Sequence, residues 1–109
     1  MTHSNKEILE HFFDVILGVV SEGTSDNYAL MVISQFSKKI SKDFPFVKYF
    51  SIKNSVKVDE KINRVDHKKV SKFITKLMDS LFSDLFKHLV KRKMDENLYN
   101  DLKLIGVKI

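Results

Sequence analysis

The chain has no cysteine, no tryptophan, one proline and three glycines among its 109 residues. Each scarcity removes a class of protein. Without cysteine there is no disulfide scaffold, no thiolate metal site and no thiol nucleophile. Nothing in the chain then calls for an oxidising compartment, so a cytoplasmic location is the expectation. Gly18, Gly23 and Gly106 are too few and too scattered to form a glycine-rich phosphate cradle. Long apolar runs are missing as well. The stretch Phe12 to Val20 is nearly all apolar but is bordered or interrupted by Glu7, Glu10 and Asp14. It falls short of the roughly 20 residues that cross a bilayer, and it lacks the basic start of a signal peptide. No membrane partner is expected.

What is present suits a globular chain. Hydrophobic residues make up 43% and charged residues 30%, with nine phenylalanines among them. That is enough apolar surface to fill a core, and the length fits one ordinary domain spanning residues 1–109.

Periodicity supplies the elements. Ser4 and Glu7 have the capping-box spacing, and apolar residues follow at Ile8, Leu9, Phe12, Phe13, Ile16, Val19 and Val20. With Val15 and Leu17 they fill about half of the helical wheel or more, so this helix should be buried against more than one neighbour. Gly23 is a stop, and Thr24, Ser25 or Asp26 can cap a second helix over about Asn27 to Lys42, closed by Pro45. The period then changes to two. Phe50, Ile52, Val56 and Val58 alternate with polar residues around Lys53-Asn54-Ser55, the pattern of a hairpin. Next, Asp66 caps a long helix whose apolar positions run from Val70 through Phe73, Leu77, Leu81, Leu85 and Leu89 to Val90. From Phe73 its apolar pairs recur every four residues, so the buried stripe winds by about 40° per repeat and calls for several partners or a second subunit. Leu81 and Leu85 are expected to be buried in mid-helix. Asp95 opens a short final helix with Leu98, Tyr99 and Leu102 inward and Gly106 at its end; Val107 to Ile109 form a tail, frayed or paired with the hairpin. The expected fold is α+β and predominantly α-helical: two N-terminal helices, a small β-hairpin, one long amphipathic helix and a short C-terminal helix.

Chemistry is hard to find in this chain. His3, Glu7 and His11 would align on a helix, but Glu7 and His11 lie opposite the apolar arc and read as a solvated face. His88-Leu89-Val90-Lys91 resembles, over four residues, the active-site turn of histidine-phosphotransfer domains. The glycine of that turn is Arg92 here, and a hairpin has no place in that four-helix bundle. Pairing of His88 with Asp84 one turn earlier is the plainer reading. No serine sits in a nucleophile elbow. Neither catalysis, nor a metal, nor a cofactor is expected.

Charge is the one uneven feature. Lys38 to Lys76 holds twelve basic residues against four acidic ones, while residues 1–30 set Lys6 against five carboxylates. The basic stretch also holds Phe44, Phe46, Tyr49 and Phe50, a mixture found in single-strand nucleic-acid binders. The sequence therefore points to a non-catalytic protein-interaction or regulatory module that self-associates through the winding face of the long helix. The alternative is a nonspecific nucleic-acid binder using residues 38–76, with Arg64, Lys68, Lys72 and Lys76 contacting phosphates or an acidic partner.

Overall fold

The computed structural model describes residues 3–108. Five helices and one hairpin follow in the order α1 (Asn5–Ser21), α2 (Asp26–Lys39), β1 (Phe50–Ile52), β2 (Val56–Val58), α3 (His67–Leu81), α4 (Asp84–Lys93) and α5 (Glu96–Ile105). Two 3-10 turns, Pro45–Tyr49 and Glu60–Arg64, flank the hairpin.

Most helix starts are local events. Ser4 accepts from the Glu7 amide while the Glu7 carboxylate accepts from the Ser4 amide, which completes the capping box. Ser25, Asp66, Ser83 and Asp95 each accept a backbone N–H from the first turn of α2, α3, α4 and α5. Gly106 ends α5 with φ of 104°, the left-handed conformation that glycine adopts at little cost. The Val107 amide then bonds the Leu102 carbonyl at 2.9 Å and its side chain is buried. Through Val107 the tail thus docks on the helix it follows; among the described residues the sheet has two strands only, and Ile109 lies outside them. Helix α2 stops at Lys39, short of Lys42, because Ile40 leaves helical geometry and the Ser41 hydroxyl bonds the Lys38 carbonyl. Pro45 instead begins the first 3-10 turn, which the sequence did not announce.

The broad apolar arc of α1 is met from several sides: α2, α4, α5, β2 and the second 3-10 turn all pack on it. Phe12, Phe13, Ile16 and Leu9 are fully buried there. On the other side of this core, Phe73 of α3 sits among Phe13, Phe44, Phe46 and Phe50, at centroid distances of 5.4–6.2 Å with rings steeply tilted. Polar groups tie the layers together. Buried Asn5 donates to the Ile62 and Val65 carbonyls at 3.0 and 2.7 Å, so its Oδ1 is left to accept from His67 Nδ1 at 2.6 Å.

The long helix is two helices. Helix α3 ends at Leu81, Phe82 and Ser83 are extended, and Ser83 caps α4. A winding stripe explains the break: a straight helix would carry its last apolar residues away from the core that its first ones face. Restarting the helix brings Phe82 and Val90 to the interior, with Phe86 stacked on Phe82 at 5.3 Å. The Ser83-Asp84 pair, poor inside a helix and good at its start, supplies the place. Leu85, expected in the core, is 72% exposed, and Leu81 is only partly covered. Across the break, the Asp79 carboxylate bonds Lys87 and holds its ammonium above the ordinary lysine range.

Candidate functional site

Helix α4 has ten residues but buries only Val90 completely. Leu85, at 72% exposure, and Leu89, at 37%, stand one turn apart and line a shallow apolar groove with His88, Lys91 and Arg92. These leucines belong to the stripe that the sequence places at an interface; the helix break turns them outward. His88 forms no ion pair with Asp84 among the described residues. Both line a second recess between α3 and α4, beside Lys87.

The basic segment collects elsewhere, around the first 3-10 turn. Three adjoining recesses share Lys48. One lies against α2 and includes Lys38, Ser34 and Ser41. Another reaches α3 and includes Arg64, Lys69 and Lys72. The last runs along the hairpin and includes Lys57 and Lys61. Of the four residues named from sequence, Arg64 and Lys72 meet in the recess on α3. Lys68 and Lys76 are exposed on the same helix but do not line it. Lys48 and Lys69 were missed; Lys69 and Lys72 are three residues apart, a spacing that shares a helix face as well as four does. The aromatics of the segment divide between core and surface. Phe46 is buried, and Phe44 and Phe50 pack edge-on against Phe73, so their rings are spent on the core. Tyr49 alone of the four lines two of the recesses without joining that cluster, with the Lys48 ammonium 5.4 Å from its ring centre.

The triplet is dispersed: His3 precedes α1, and only Glu7 and His11 lie on it. His3 meets Asp101 at 2.6 Å, His11 meets Asp95 at 3.3 Å, and Glu7 closes the capping box. Among the described residues, no three histidine, aspartate or glutamate side chains gather as a metal site would require, and no helix is long and apolar enough to cross a membrane.

Comparison with protein-family models, with curated protein sequences and with solved structures gives no significant match.

Proposed function

We propose that this chain is a non-catalytic protein-interaction module that self-associates through α4. The observation that carries the reading is the exposure of Leu85 and Leu89, one turn apart on the face of α4 that the core does not cover. The occupant is a second copy, because α4 complements itself. In an antiparallel pair, Leu85 of one copy faces Leu89 of the other. The acidic first turn, with Asp84, then lies near the basic last turn, with Lys91 and Arg92, and the two helix dipoles oppose. A ten-residue helix is about 15 Å long, so the contact is smaller than a standard interface and the dimer is weak and concentration-dependent.

Analytical ultracentrifugation over a concentration series tests this. The wild-type chain should shift from monomer to dimer, and Leu85→Ser should remain monomeric with unchanged circular dichroism, since that side chain is already in water. A wild-type chain that sediments as a monomer throughout would refute the reading, as would a Leu85→Ser variant that still dimerises.

A further inference from the structure

We propose that the face around Lys48 is a second binding surface, built for the phosphate backbone of nucleic acid and not for its bases. Lys48 lines all three recesses, and cations from four other parts of the chain line one or another of them: Lys38 from α2, Lys57 from β2, Lys61 and Arg64 from the second 3-10 turn, and Lys69 and Lys72 from α3. The chain forms no close ion pair with them, although Lys57 lies near enough to Glu10 to help hold that carboxyl below its usual value. None has a carboxylate within 4.0 Å among the described residues; Lys91, Arg92 and Lys103 elsewhere are likewise unpaired, so what sets this face apart is the number of cations that line adjoining recesses. Of the acidic residues in the recesses, Asp59 and Asp66 turn a carboxylate oxygen onto the amides of Lys61 and Lys68, leaving Asp43 as the third. Unpaired cations held on a curved surface attract a polyanion and gain from the counterions it releases.

The same structure argues against reading of bases. Stacking on single-stranded bases needs exposed rings, and of the five aromatics in the segment Phe44, Phe46 and Phe50 are packed around Phe73, itself buried. One arginine among seven cations leaves little for bidentate recognition of guanine. Binding should therefore follow phosphate density. Duplex is held more tightly than single strand, mixed and repetitive sequences are held alike, and affinity falls steeply with salt.

The test is fluorescence anisotropy with labelled DNA and RNA oligonucleotides, single-stranded and duplex, over a salt series. Two double variants remove equal charge: Lys48→Gln with Lys72→Gln on the proposed face, and Lys103→Gln with Lys108→Gln away from it. Each phosphate contact contributes about 0.9 to the slope of log affinity against log salt on duplex DNA. The first variant should lose close to two such units and the second little. The proposal is overturned if the wild-type chain shows no salt-dependent binding at low ionic strength. It is equally overturned if both variants lose the same affinity, which would reduce the effect to net charge. The two faces share no lining residue, so failure here leaves the α4 reading standing, and the Leu85→Ser result does not bear on this one.

Discussion

Glu10, on the first helix, reaches across to the hairpin: its Oε2 accepts the backbone N–H of Val58 at 2.8 Å. The hairpin bonds through its odd-numbered residues, with the Asp59 amide on the Tyr49 carbonyl and the Lys53 amide on the Ser55 carbonyl. The Val58 amide therefore points outward, where a two-stranded sheet offers it no partner. A carboxylate from α1 satisfies it. Lys6 steadies the same oxygen from one helical turn away, at 3.1 Å.

This contact should make stability depend on pH. Burial pushes the Glu10 carboxyl up, but the Val58 amide and the Lys6 ammonium, with Lys57 further off, outweigh it and leave it below its usual value. A carboxylate depressed on folding adds stability above its unfolded pKa and loses it as pH falls through the folded one. Glu10→Gln should cost about 1 kcal/mol near neutral pH. Urea midpoints of variant and wild type should converge as the carboxylate protonates in acid. Parallel midpoints at every pH would show that the contact does not form in solution.

The helix break predicts unequal costs for neighbouring apolar residues. Phe82 is buried at the break, and its truncation to Ala should cost about 3–5 kcal/mol. Leu85, three residues on, is largely in water, and Leu85→Ala should change monomer stability by no more than about 0.5 kcal/mol. Chemical denaturation at a concentration too low for association decides it. Equal, large costs at the two positions would restore a continuous helix with Leu85 in the core.

Among the described residues, one buried side-chain hydroxyl has no partner: Ser37 Oγ, on the inner face of α2. Ser37→Ala removes an unsatisfied polar atom and improves helix propensity, so it should stabilise the chain by about 0.5–2 kcal/mol. Thermal unfolding measures this directly. A drop in midpoint would mean that a water from the adjoining recess completes the hydroxyl's bonding.

Read from the sequence alone, the starts of α1, α3 and α5 and the hairpin were legible, because each depends on residues a few positions apart. Ser4 and Glu7 reach each other whatever the rest of the chain does, Asp66 and Asp95 cap the turns they precede, and Gly106 ends α5 through its own backbone freedom. The alternation around Lys53-Asn54-Ser55 is equally local. What only the tertiary structure decided is where the winding stripe stops being one helix, which aromatics the core consumes, and which lysines meet. The same four-residue repeat is compatible with a continuous helix or with a break at Ser83-Asp84. The choice rests on burying Phe82 and Val90 against elements distant in sequence, and it leaves Leu85 and Leu89 outside. Likewise nothing near Phe44 and Phe50 in the sequence shows that Phe73, more than twenty residues away, is the ring they pack against. Lys48 and Lys72 come to line one recess only because that packing brings the first 3-10 turn onto α3. Hydrophobic burial is non-directional and acts between whatever surfaces the fold brings together, so spacing along the chain marks a face as apolar but not the partner that covers it.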